Sequence, residues 1–222
     1  MKVMRHGKLF FDVTIDGKEV KQDEQSIYRF YSMTKVVASV AVLIAVERGR
    51  MALDDPVEKY IPEFRGCQVY AGGSVAAGDL RTEPASTMPT VRQCLTHTAG
   101  LGYGGLFAAF GLVDEVDKAY KQAGCGVDML AGGMCKFESL EKLAATLAGC
   151  PLRHQPGTKF DYAMGHIIAG RCTEVALGAT LTEIMQHEIF DPLEMNGAGW
   201  GVHESDPRVL PMYRYGETLL LA

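Results

Sequence analysis

The pattern of apolar positions is strongest between Val36 and Val46, where only Ser39 interrupts a run of Val, Ala, Leu and Ile. A segment apolar almost all round predicts a helix central to the core, from about Ser32 to Arg48 and stopped by Gly49. The run is too short to span a bilayer. Upstream, residues 3–20 read as a β-hairpin. Val3 to Arg5 and Leu9 to Ile15 are strand-like, His6-Gly7 lies between them, and Asp16-Gly17 closes the second run.

Further helices are predicted downstream. Leu53-Asp54-Asp55-Pro56 opens a short one with an acidic first turn and a proline, running toward Ile61-Pro62. Thr90 to His97 is another, ended by Ala99-Gly100. Ser139 to Ala148 has Ser139 as its cap. Gly165 to Leu177 is a buried helix ended by Gly178, and Thr180 to Ile189 follows, before Asp191-Pro192. Residues 65–90, rich in Gly, Ala, Ser and Pro, read as loop, and Gly102 to Gly133 is glycine-rich and ambiguous. The pattern shows no internal repeat. It is mostly helical with one hairpin at the start, an α+β chain.

Length and composition narrow the partners more than the fold. At 222 residues the chain makes one domain with a real core, and 47% apolar residues exclude disorder. Its net charge of −5 is spread without blocks, which excludes nucleic acid and anionic membranes as expected partners. No apolar segment follows Met1-Lys2-Val3-Met4-Arg5-His6, so no signal peptide is visible and a cytoplasmic location is expected. Cys67, Cys94, Cys125, Cys135, Cys150 and Cys172 form no C-x-x-C pair and read as reduced thiols. The histidines form no H-E-x-x-H pair, so neither a metal nor a cofactor is expected.

Chemistry enters at Ser32-Met33-Thr34-Lys35. A serine hydroxyl is a weak nucleophile until a base takes its proton. A lysine three residues on lies one helical turn away on the same face, within reach of that hydroxyl. Lys35 begins a helix with almost no polar face, so its side chain is expected not to point freely into water. Burial lowers a lysine's pKa and lets it serve as a base, while the helix N-terminus suits a developing oxyanion. The bland reading is a serine N-cap beside a solvated lysine. His97 invites a Ser-His-Asp triad, but no G-x-S-x-G elbow accompanies it. Gly100 to Gly105 is likewise no phosphate loop, lacking a preceding strand and a following lysine in place.

Four ordered segments resemble the serine β-lactamase and penicillin-binding-protein superfamily, in its class-C-like branch with the family VIII carboxylesterases. Tyr31-Ser32-Met33-Thr34-Lys35 and Leu53-Asp54-Asp55-Pro56-Val57 are the first two. Leu95-Thr96-His97-Thr98-Ala99-Gly100-Leu101 resembles L-x-H-T-S-G-L, with Ala99 for serine. Pro156-Gly157-Thr158-Lys159-Phe160-Asp161-Tyr162-Ala163 resembles P-G-x-x-F-x-Y-S, with Ala163 for serine. The resemblance implies a β-lactamase/transpeptidase-like fold over 1–222, chiefly its helical part plus the hairpin. It implies Ser32 as acyl-accepting nucleophile, Lys35 as the group that lowers its pKa and holds a tyrosine, and Tyr162 as general acid/base. His97 falls in a structural turn near the site.

Two departures matter. Tyr162-Ala163-Met164 has Met164 where the family's β-lactamases carry an asparagine that contacts the substrate amide, which favours an ester over a β-lactam. No K-T-G-like third motif is recognised, and Trp200-Gly201 comes too soon after Tyr162 to serve. The expectation is therefore a shortened chain, with the hairpin short of sheet partners. The reading is a serine hydrolase acting on a small-molecule ester or amide. Its rivals are a β-lactamase, D-Ala peptidase or acyltransferase on the same residues, and a non-catalytic remnant that binds or supports.

Overall fold

The computed structural model describes residues 2–5, 8–12, 25–105, 113–127, 137–201, 206–210, 212–214 and 217–219. Two compact units divide the chain, one of 1–31 with 196–222, the other of 32–195. In the first, β1 (Lys2–Arg5) pairs antiparallel with β2 (Lys8–Asp12), with a bulge between Val3 and Met4. This is the predicted hairpin; its turn and the expected end beyond Asp12 lie outside the described residues. Ile27 bridges Val209 in parallel, and the Arg29 guanidinium donates to the Leu210 carbonyl.

The second unit holds the helices. A helical turn, Tyr31–Met33, leads into α1 (Thr34–Glu47). In chain order come short turns at Val57–Lys59 and Pro62–Phe64, β3 (Gln68–Gly72), β4 (Arg81–Pro84) and α2 (Val91–Leu95). Then follow α3 (Glu115–Gln122), α4 (Leu140–Ala148), α5 (Gly165–Leu177) and α6 (Leu181–Met185), which passes into a π-helical turn, Gln186–Phe190. Helix α5 is the hub, packed against α1, α2, α4 and α6. Ile168, Ala169, Cys172 and Thr173 carry its buried face. Among the described residues no helix is long and apolar enough to cross a membrane.

The caps follow the sequence. Thr90 and Thr180 each accept from the backbone three residues on within a full capping box, and Ser139 accepts from the Lys142 N–H. Three expectations need correction, and one stretch left open takes a form. The segment after Leu53 forms two single turns rather than a helix, because Pro62 interrupts it. Residues read as loop contain the β3–β4 hairpin, anchored where Val69 bridges Leu152. The ambiguous stretch contains α3, started by an Asp114–Asp117 capping box. Helix α1 is not buried all round: Ala38, Ala41, Val42 and Ala45 face the core, while Val36 is 67% exposed and Val40 and Leu43 are open as well. A helix apolar on every side carries no information about which side its neighbours will cover.

Two glycines set the geometry around the candidate site. A Cβ on Gly165 would lie 2.2 Å from the Cys94 carbonyl oxygen, so α5 and α2 meet backbone to backbone only because that Cβ is missing. Gly100 has φ +83°, and a Cβ there would lie 2.2 Å from the His154 carbonyl oxygen. Through these contacts 97–102 runs beside 153–164. Asp161 N–H donates to the His97 carbonyl (2.8 Å), Gly157 N–H to Thr98 (2.7 Å), Arg153 N–H to Gly100 (2.6 Å) and Met164 N–H to Gly102 (3.2 Å).

Candidate active site

Ser32, Lys35 and Tyr162 converge. The Tyr162 phenol donates to Ser32 Oγ at 2.7 Å, and Lys35 Nζ lies 3.4 Å from the same oxygen. The N-cap of α1 is Met33 and receives no side-chain capping bond, so Ser32 Oγ is not spent on the helix end. Ser32 is exposed at the surface, whereas Lys35 and Tyr162 are half-buried. Lys35 Nζ sits 4.9 Å from the Tyr162 ring centroid and 5.7 Å from that of Tyr103. The two rings stack at 5.5 Å with planes 6° apart. Such cation–π contact adds about 0.5–2 kcal/mol and holds the ammonium between the rings and the serine.

The electrostatics favour an ionisable Tyr162. Burial alone raises the phenol's pKa, but bonding to Lys35 and Ser32 and the Lys35 charge outweigh it and bring the group below the ordinary tyrosine value. His97, in left-handed backbone at φ 57°, packs its ring 4.6 Å from Tyr162 and accepts the Ala163 N–H on Nδ1 at 3.1 Å. The turn geometry and ring packing agree with its expected structural role. His166 packs against it at 4.9 Å with its ring tilted by 41°. Burial lowers both imidazole pKa values, with the Lys35 charge adding to each, and His166 falls to about 4. The lowered values favour the neutral form of both rings at pH 7.

The depressed His166 value makes a stability prediction. Between its ordinary 6.5 and about 4, the unfolded chain binds a proton that the folded chain refuses. Stability from this group is thus complete above pH 6.5 and is lost as pH falls toward about 4. Replacing His166→Gln should flatten the acid side of a urea-midpoint against pH curve. An unchanged slope in the variant would show that His166 titrates normally.

The sequence did not single out Tyr103, His166 or the ion cluster around Arg153. The Arg153 guanidinium donates to Asp161 at 2.8 Å and to Asp117 at 2.6 Å, and it also pairs with Asp114. Burial opposes its charge, yet the Asp161 bond and the three carboxylates hold its pKa above the ordinary arginine value. Asp117 in turn accepts the Gly104 N–H at 3.0 Å, and the Tyr120 hydroxyl accepts the Gly102 N–H at 3.1 Å. Tyr103 is thereby fixed from both sides, and Arg153 anchors Asp161, the residue before Tyr162. The Asp114-x-x-Asp117 cap was the signal available for α3, but nothing in the spacing linked it to Arg153. The buried positions of Ala99, Ala163 and Met164, each 2% exposed, lie in the core behind the site.

A family model described as Beta-lactamase matches residues 2–218. Esterase EstB of Burkholderia gladioli is 29% identical over 219 residues, which is 95% of this chain and 49% of that protein. Lovastatin esterase of Penicillium rubens is 28% identical over 183 residues, 81% of this chain and 41% of that one. Among solved structures, unliganded simvastatin synthase (LovD) of Aspergillus terreus superposes with TM-score 0.57 at 25% identity, covering 84% of this chain and 44% of that chain. The fold is thus β-lactamase/transpeptidase-like. The chain spans a little under half the length of these relatives.

Proposed function

The chain belongs to the β-lactamase family, and on that premise we propose that it is a serine hydrolase that cleaves a small-molecule ester through an acyl-enzyme on Ser32. The observation that carries this reading is Ser32 Oγ lying between the Tyr162 hydroxyl and the Lys35 ammonium. Tyr162, ionised with the help of Lys35, takes the serine proton as Oγ attacks the acyl carbon. The backbone N–H of Ser32 is one donor to the oxyanion that forms. Tyr162 then returns the proton to the departing alcohol, and water, activated by the same phenolate, releases the acid. No step needs a metal or cofactor.

Buried Met164 supports an ester over a β-lactam, because the side chain standing at the family's amide position is turned into the core and offers no polar contact. Acyl transfer to an alcohol is the second reading. It is supported by the likeness to proteins named as acyltransferases, among them mokF of Monascus pilosus, and by the exposure of Ser32, which lets an acceptor approach. Adding an alcohol to a nitrophenyl ester assay separates the two. Transfer speeds release of nitrophenol and yields a new ester, whereas hydrolysis alone does neither.

Tyr162→Phe is the direct test of the proton path. General acid–base groups contribute about 10²–10⁴-fold, so kcat should fall by that much. Because the phenolate is the active form, the wild-type rate should rise with pH through the lowered Tyr162 pKa and then level off. The phenylalanine variant should lack that limb. A variant that keeps the limb would assign it to another group.

A further inference from the structure

Away from the serine site, the ends of α3 and α4 bring two cysteines together. Cys125 Sγ and Cys150 Sγ lie 3.8 Å apart, 25 residues apart in the chain. Each thiol also reaches a carbonyl of the helix it follows, Cys125 to Tyr120 at 3.3 Å and Cys150 to Thr146 at 3.5 Å. A disulfide needs the sulfurs to close from 3.8 Å to about 2.05 Å, so forming one requires both side chains to move. Gly124, Gly126 and Gly149 flank the pair. Both cysteines are buried, but Cys150 lines a surface cleft of about 440 Å³ with Val75, Leu80, Ala119 and Pro151, the side from which a small reagent would approach.

We propose that Cys125 and Cys150 are a redox modification site, converted by a hydroperoxide into a reversible intramolecular disulfide that ties the end of α3 to the end of α4. The Cys150 thiolate attacks the terminal peroxide oxygen, forming a sulfenic acid and releasing water or alcohol. The Cys125 thiolate then attacks that sulfur and expels water. Two electrons pass from the two thiols to one peroxide, and both thiol protons leave in the products.

The other described cysteines behave differently. Burial raises the thiol pKa of Cys67, Cys94 and Cys172, the last to about 12, which keeps them protonated and inert. Cys150 instead lies below the ordinary thiol value, because bonding from Cys125 outweighs burial. The bond would also act on a wider region. Cys125 N–H donates to the Tyr120 carbonyl, and Tyr120 holds Gly102 beside Tyr103.

The test treats the native chain with a small excess of hydrogen peroxide, then unfolds it, alkylates remaining thiols and digests with trypsin. Peptides 122–136 and 143–153 carry Cys125 with Cys135, and Cys150, respectively. A linked pair that loses its link with dithiothreitol is expected, both in the wild type and in Cys135→Ser, but not in Cys150→Ser. Closing this loop should raise the melting temperature by roughly 5–10 °C, reversibly. A link through Cys135, a Cys150 that goes only to sulfinic acid, or a melting point lowered by oxidation would each overturn the proposal.

Discussion

Replacing Ser32→Ala is expected to abolish covalent labelling by a fluorophosphonate and to lower turnover of a short-chain nitrophenyl ester by about 10⁴-fold or more. The size of the effect follows from the geometry. Both the Tyr162 hydroxyl and the Lys35 ammonium converge on one oxygen, so removing it leaves the pair with nothing to activate. Intact-mass spectrometry before and after labelling is the measurement. Labelling is the better readout than turnover, since it asks only for an activated nucleophile and not for every donor that a full catalytic cycle uses. Stability should change little, within about 0.5 kcal/mol, because Ser32 is exposed and does not cap α1. An unlabelled wild type would favour the non-catalytic remnant. Equal labelling of the alanine variant would move the nucleophile elsewhere.

The largest stability effect is expected at Arg153→Met. The arginine side chain is 19% exposed and its partner Asp117 is 7% exposed, so the variant strands a buried carboxylate next to those of Asp114 and Asp161. Breaking a buried pair from one side costs about 3–5 kcal/mol. That corresponds to a fall of roughly 10 °C or more in melting temperature for a chain of this size. Asp114→Asn should cost well under ~1 kcal/mol, because that carboxylate is 46% exposed and already solvated. Urea titration of the two variants checks the ranking. Equal losses would mean that the cluster is solvated throughout. If Arg153→Met folds, its ester rate should also fall, since Asp161 then loses the bond that steadies Tyr162.

Much of the helical framework was legible because local chemistry repeats the same message. Thr90, Ser139 and Thr180 cap helices as their positions predict, and Gly49 and Gly178 end α1 and α5. What escaped has little local signature. Strand β4 is exposed along its whole length and shows no alternation, so nothing in Arg81–Pro84 marked it as sheet. Helix α3 buries only Val116, Asp117 and Tyr120 within a polar segment, too sparse a stripe to stand out among glycines. The turn of the first hairpin lies outside the described residues.

The site divides along the same line. By itself the sequence determined that Ser32 and Lys35 share a face, because three residues make nearly one turn whatever surrounds the helix. The local pattern ran the helix from Thr90 through His97, and only the family resemblance put His97 in a turn. The distance between Ser32 and Tyr162, 130 residues apart, could not come from any local pattern. It depends on α2 and α5 touching at Gly165, on the hydrogen bonds between 97–102 and 153–164, and on Arg153 holding Asp161. Which apolar face of α1 is covered, which histidines stay neutral and which tyrosine stacks on Tyr162 were likewise decided by tertiary contact. Each depends on what lies within a few ångströms across the fold, and that neighbourhood is written in no single stretch of the chain.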